Sequence, residues 1–182
     1  MDFSTYTQLT ALFALFANAV TIGIVVVFAG GRFGVAPLAR ARDWLRVALQ
    51  DVGVLLAAIV ASASTIGSLL YSEAYNLIPC ELCWYQRIAM YPLAVILVIA
   101  AVRRATGEAR RYGIPLAVIG TVIAAYHYLI QQFPDLEAGS CSLDVPCSAP
   151  YVWQYDFISI PYMALAGFTL VLALLLATGR PE

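Results

Sequence analysis

The residues in this sequence best suited to chemistry are its four cysteines. Cys80 and Cys83 form a Cys-x-x-Cys, and Cys141 and Cys147 form a second local pair with Pro146 between them and Pro150 beyond. Local cysteine pairs exchange electrons as thiols and disulfides, staple a loop, or hold a metal through thiolates. An even count suggests two disulfides, but four cysteines allow three connectivities. The surroundings favour redox work over staples or a four-thiolate zinc site. The sequence predicts Cys83 at the start of a helix, where the positive end of the helix dipole favours thiolate. Arg87 follows four residues later, on the same face and one turn deeper, where a cation would further stabilise a Cys83 thiolate. Cys141 and Cys147 have neither a helix start nor a nearby arginine, which suits a disulfide waiting to be attacked.

The elements that must position these residues are membrane helices. Of the 182 residues, 62% are hydrophobic and only 12% charged, where a soluble domain carries about 25% charged residues. A chain this short cannot hide so much apolar surface in a water-soluble core, so the missing solvent is lipid. Five stretches are long and apolar enough to cross a hydrocarbon core of about 30 Å. They lie at roughly 8–29, 51–71, 84–102, 112–133 and 157–177. Ser62, Ser64, Thr65, Gly67 and Ser68 in the second span are small enough for close helix approach in lipid. Pro92 is expected to kink the third span, and Pro115 to open the fourth, where proline is harmless. The first span lacks the basic leader of a signal peptide and is too long for one, so it is read as a helix. The expectation is an all-α membrane protein, a single integral domain over 1–182 with no internal repeat.

Arginine sets the direction. The 30–50 connection holds Arg32, Arg40, Arg42 and Arg46; the 103–111 connection holds Arg103, Arg104, Arg110 and Arg111; Arg180 follows the last span. The positive-inside rule puts these regions in the cytoplasm. The opposite side carries Asp2, Glu73, Glu81, Asp135, Glu137, Asp144 and Asp156. The N-terminus and all four cysteines therefore face outward, where disulfides persist, and the C-terminus faces the cytoplasm. Arg87 alone sits near the hydrocarbon edge on the outer side. An ionisable residue at that depth is a functional candidate, with a snorkelling headgroup contact as the plainer alternative.

The run Pro79-Cys-Glu-Leu-Cys-Trp-Tyr-Gln-Arg-Ile-Ala-Met-Tyr-Pro92 resembles the DsbB family of disulfide bond formation proteins, especially its BdbC branch. Cys141-Ser-Leu-Asp-Val-Pro-Cys147 and Phe157-Ile-Ser-Ile-Pro-Tyr162 resemble the same branch. The resemblance covers roughly 51–177 and implies a four-helix transmembrane bundle, with the first span as an extra N-terminal helix. It implies a thiol:quinone oxidoreductase that re-oxidises a DsbA-like thioredoxin-fold thiol oxidase outside the cytoplasmic membrane. Cys80 and Cys83 match the quinone-coupled pair, with Cys83 facing the quinone and Arg87 beside it. Cys141 and Cys147 match the loop pair: Cys141 would form the mixed disulfide with the partner, and Cys147 would exchange with Cys80. The cofactor would be menaquinone or ubiquinone; no metal and no nucleic acid are expected. A strongly oxidising thiol partner needs an acceptor beyond ordinary thiols, and lipid-soluble quinone can serve.

His127, the only histidine, lies in the outer half of the fourth span. It could bond a quinone carbonyl, help move protons, or make a buried structural hydrogen bond. Trp84, Tyr85, Tyr151, Trp153 and Tyr155 read as interfacial anchors, some of which could line a quinone pocket. Three rivals differ in testable ways, one of them a metal-binding module, which predicts bound zinc. Vitamin K epoxide reductase-like enzymes share helices, quinone and two cysteine pairs, but place the loop pair before the Cys-x-x-Cys. A non-enzymatic membrane scaffold would keep both pairs as stable staples.

Overall fold

The computed structural model describes residues 2–137, 139, 141 and 145–178. Arg180 and Asp144, used above for direction, lie outside the described residues. Five α-helices follow in order: α1 (Phe3–Arg32), α2 (Ala36–Leu69), α3 (Glu81–Arg103), α4 (Thr106–Gln132) and α5 (Ile160–Ala177). All five are long and apolar enough to cross a membrane. A π-helical turn, Leu70–Ala74, extends α2, and a 3-10 turn, Pro134–Leu136, follows α4.

Two helices begin well before the apolar spans that the sequence suggests. α2 starts at Ala36, inside the arginine-rich stretch read as a connection. Its first residues, Ala-Pro-Leu-Ala-Arg-Ala-Arg-Asp-Trp-Leu-Arg, are mostly strong helix formers, and Pro37 sits in the first turn where proline is tolerated. α4 starts at Thr106, so Pro115 does not open it. Pro115 sits inside the helix and forfeits one backbone bond there. Hydropathy finds where a helix enters lipid, not where its hydrogen bonding begins. α3 runs on through Pro92 and ends where Arg104 adopts φ 54°.

α2, α3, α4 and α5 pack in a ring, each against the next and α5 back against α2; α3 and α5 lie across the diagonal and barely touch. α1 lies outside this ring against α2 and α5. Small residues let the ring close. Gly113, Ala117, Gly120 and Ala124 share one stripe of α4, and a methyl group at Gly120 would overlap the fully buried Phe168 ring of α5. α1 is joined by polar contacts as well as packing: Tyr6 Oη donates to Gly67 O, Thr10 shares a hydrogen bond with Tyr71, and Asn18 donates to Tyr162. Its opposite face, with Leu12, Phe13, Phe16 and Ile22, is exposed, as lipid contact requires.

Among the described residues, the arginines other than Arg87 gather at one end. Arg110 donates to the carbonyl oxygens of Leu175 and Leu176, capping the C-terminus of α5. Arg46 lies over the Phe28 ring, and Arg42 pairs with Asp43 and donates to Gly31 O. The cysteines occupy the opposite end, where α3 begins and α4 finishes.

Candidate redox site

The approach to α3 is built to deliver Cys80. After the π-helical turn the chain reverses at Asn76, whose φ is 55°, and Leu77 N–H donates back to Tyr71 O. Pro79 holds the preceding residue extended. Cys80 then serves as the N-cap of α3, its Sγ accepting the backbone N–H of Cys83 at 3.4 Å. A thiol thus fills the role that serine or aspartate usually takes. One helical turn brings the Cys83 Sγ to 2.7 Å from the Cys80 Sγ, with both cysteines free. The pair is placed to close and reopen as a disulfide.

Cys141 and Cys147 are joined by a disulfide. A four-thiolate zinc site is therefore not available in this state. The two partners differ in exposure: Cys147 is 1% exposed, and Cys141 is half-buried. The loop lays Cys147 over the mouth of the bundle. Cys80 Sγ, a ring nitrogen of His127 and Cys147 Sγ all lie within 4.8 Å of one another.

His127, from α4, stands at the centre of this group and is 1% exposed. Its Nδ1 accepts from Gln86 Nε2 of α3 at 3.1 Å. That leaves the ring proton on Nε2, which donates to Cys147 O at 3.2 Å and approaches Cys80 Sγ at 3.7 Å. Both ring nitrogens, one of which was a candidate for a quinone carbonyl, are thus engaged within the protein. The Cys80 thiol is pulled below the ordinary thiol range, chiefly by its hydrogen bond with Cys83 and then by His127, while burial opposes the shift. The sequence placed the thiolate on Cys83; the structure gathers hydrogen-bond donors on Cys80 instead.

Arg87 lies on a different surface. Its Nε donates to Ser68 Oγ and its Nη2 to Ser68 O, both at 3.0 Å, and its guanidinium sits over the Trp84 ring. Its hydrogen bonds go to α2 rather than to Cys83. An open groove of about 400 Å³ is lined by Arg87 and Trp84 together with Leu77, Ile78 and Pro79 on one side and Ser72, Glu73 and Asn76 on the other. Trp84, the residue after Cys83, thus faces the groove, while Cys83 lines a small cavity with Cys80, His127 and Cys147. The first turn of α3 separates the two. Trp84, Tyr85, Tyr151, Trp153 and Tyr155 are all exposed, as interfacial anchors would be.

Gln86 and Ser68 were missed as site residues. Gln86 carried a usable signal: a polar amide inside an apolar span needs a partner within the protein. In the sequence Ser68 reads only as a small residue; nothing local marks it as the acceptor for an arginine 19 positions away.

Comparison with known proteins places this arrangement among its relatives. The family model described as disulfide bond formation protein DsbB matches residues 50–178. Disulfide bond formation protein C of Bacillus subtilis is 45% identical over 115 residues, covering 63% of this chain and 83% of that protein. The "Probable disulfide formation protein" of Oceanobacillus iheyensis is 43% identical over 131 residues, covering 71% of this chain and 90% of that protein. A Bacillus cereus protein named "Probable disulfide formation protein C 2" is 37% identical over 133 residues, 73% of this chain and 92% of its own. No solved structure is a significant match. α1 and the first turns of α2 precede the family region.

Proposed function

The chain belongs to the DsbB family of disulfide bond formation proteins, and from that premise we propose that it re-oxidises an extracytoplasmic, DsbA-like thiol oxidase and passes the electrons to membrane quinone. It is a multi-pass membrane oxidoreductase that generates disulfides. The arginine-rich end faces the cytoplasm in this reading, and the cysteine end faces out.

The observation that carries the reading is the meeting of Cys147 with Cys80 beside His127. The partner's thiolate attacks Cys141, the more accessible sulfur of the loop disulfide, and Cys147 leaves as a thiolate. Cys147 then attacks Cys80 of the oxidised Cys80–Cys83 pair, forming a Cys147–Cys80 bond and freeing Cys83. The partner's second thiol resolves its bond to Cys141. Cys141 then attacks Cys147, restoring the loop disulfide and freeing Cys80. Two electrons have moved from the partner to Cys80 and Cys83. Cys80 is a good leaving group in the last exchange because its thiolate is stabilised by Cys83 and His127. Nε2 of His127, which donates to the Cys147 carbonyl and approaches Cys80 Sγ, is positioned to share its proton with the Cys80 thiolate as it leaves.

The Arg87 groove could admit a quinone ring: Leu77, Ile78, Pro79 and Trp84 give it an apolar side, Ser72, Glu73 and Asn76 a polar one, and Arg87 a cation, within the size range of small-molecule sites. When bound there, quinone supplies an acceptor for two electrons and two protons. Arg87, fixed by Ser68, would orient a ring oxygen and stabilise the negative charge that develops on it.

The test is turnover in detergent with a reduced thioredoxin-fold oxidase and a soluble quinone analogue. The expected result is partner oxidation matched one-to-one by loss of quinone absorbance. Oxidation that proceeds equally without quinone, or no oxidation at all by the folded protein, contradicts the reading.

A further inference from the structure

We propose that the fully reduced protein binds one soft divalent cation of the Zn²⁺ class between Cys80, His127 and Cys147. The site stands on the placement of its donors and does not depend on the quinone reading.

Three observations point to it. The donor atoms come from three separate parts of the chain, yet all lie within 4.8 Å of one another. Zinc holds sulfur at about 2.3 Å and imidazole nitrogen at about 2.0–2.1 Å in a tetrahedron, so its donors stand about 3.5–3.8 Å apart. The Cys80 Sγ to His127 Nε2 separation is 3.7 Å. All three residues are buried, and a thiolate pair with neutral imidazole balances a divalent charge. Finally, a cavity of about 20 Å³ opens among these side chains. That is room for one water or ion. Gln131 lines the same cavity, and its buried Oε1 has no hydrogen-bond partner among the described residues. Cys83, 2.7 Å from Cys80, stands where it could supply a further thiolate.

Redox state gates the site. In the oxidised protein the sulfurs of Cys147 and Cys80 are tied in disulfides and are poor ligands. Two electrons and two protons per disulfide convert each pair to thiols, and ligation then releases the thiol protons to water. Binding at Nε2 moves the imidazole proton to Nδ1, where the Gln86 amide, turned over, accepts it. The captured cation would tie Cys80 to Cys147 and hold the protein reduced, blocking both the hand-off between them and the closing of Cys80 on Cys83. Soft cations would thus inhibit the reduced form selectively.

Zinc binding to the detergent-solubilised full chain tests this, measured by equilibrium dialysis before and after reduction with a phosphine, whose oxidation to the phosphine oxide supplies the electrons. The expected result is one Zn²⁺ per reduced chain and at least ~100-fold weaker binding when oxidised. Cys141→Ser and Cys147→Ser both lose the loop disulfide, so any general effect on folding is shared. Only Cys147→Ser should lose the site, while reduced Cys141→Ser keeps it. Gln86→Ala should weaken binding roughly 10- to 100-fold, as loss of a partner that orients a ligand does. No binding by the reduced chain, equal binding in both redox states, or equal retention by the two serine variants would overturn the proposal.

Discussion

The two cysteine pairs are built in opposite ways. Cys80 and Cys83 sit on the first turn of a long helix, their spacing fixed by the helix and their surroundings supplied by α3 and α4. Cys141 and Cys147 lie in the chain between the 3-10 turn and α5, joined by their disulfide, and the surroundings of Cys147 are borrowed from the bundle it rests on. In the first pair Cys80 is buried and Cys83 half-buried; in the second Cys141 is half-buried while Cys147 is buried against the first pair. The difference teaches how two incompatible customers can share one chain. In the proposed function a soluble partner needs an accessible sulfur and a lipid-soluble acceptor needs one at the membrane edge, and Cys147 with Cys80 is where the two stations would meet.

The largest expected effect separates the stations outright. Cys83→Ser should abolish quinone-dependent turnover while the Cys141–Cys147 disulfide still forms, as mass spectrometry of the unreduced protein would record. Undiminished turnover would remove Cys83 from the electron path. Cys147→Ser should next convert catalysis into capture, with a mixed disulfide between Cys141 and a thioredoxin-fold partner accumulating on non-reducing gels. An adduct that forms only through Cys147, in Cys141→Ser, would reverse the two roles.

Arg87→Ala should act on the membrane-edge station alone. Losing a charged hydrogen-bonding group costs about 1.5–3 kcal/mol, or roughly 10- to 100-fold in turnover at low quinone. Partner capture by Cys141 should be unchanged. Lysine should rescue in part, because it keeps the charge but cannot reproduce the forked contact with Ser68. Unaltered quinone dependence in Arg87→Ala would reduce the residue to a link between α2 and α3.

The smallest effect concerns proton affinity. Because the Cys80 thiol is depressed, its thiolate should persist below the ordinary thiol value of about 8.5. The stability it lends the reduced fold is present above that value and lost as pH falls through the depressed one. Alkylation of Cys80 against pH should therefore titrate below the ordinary range. Cys83→Ala should move the midpoint up most, and His127→Ala less, matching the order of their contributions. A midpoint indifferent to both changes would deny the thiolate its stated cause.

Much of this comparison was legible in the sequence because it is local. Cys-x-x-Cys, Arg87 four residues on and the apolar spans are all patterns within one element. The ring of four helices with α1 outside followed from where the family resemblance starts. What stayed hidden is tertiary. Gln86 meets His127 across 41 positions, His127 meets Cys147 across 20, and Arg87 meets Ser68 across 19. No periodicity encodes such pairs. Placing the thiolate on Cys83 rests on the helix dipole and on Arg87 one turn deeper, whose hydrogen bonds go instead to Ser68. It missed that the residue before the helix, as its N-cap, collects the same favourable field along with a real hydrogen bond. The starts of α2 and α4 were misplaced for a different reason: their first turns are polar helix that hydropathy does not see.

The central claim is that electrons cross between Cys147 and Cys80. A variant carrying both Cys83→Ser and Cys141→Ser retains only these two thiols. On mild oxidation it should form an intramolecular Cys80–Cys147 disulfide, identified by peptide mapping without reduction. Two free thiols on the folded, oxidised chain, or pairing only between separate molecules, would contradict the hand-off.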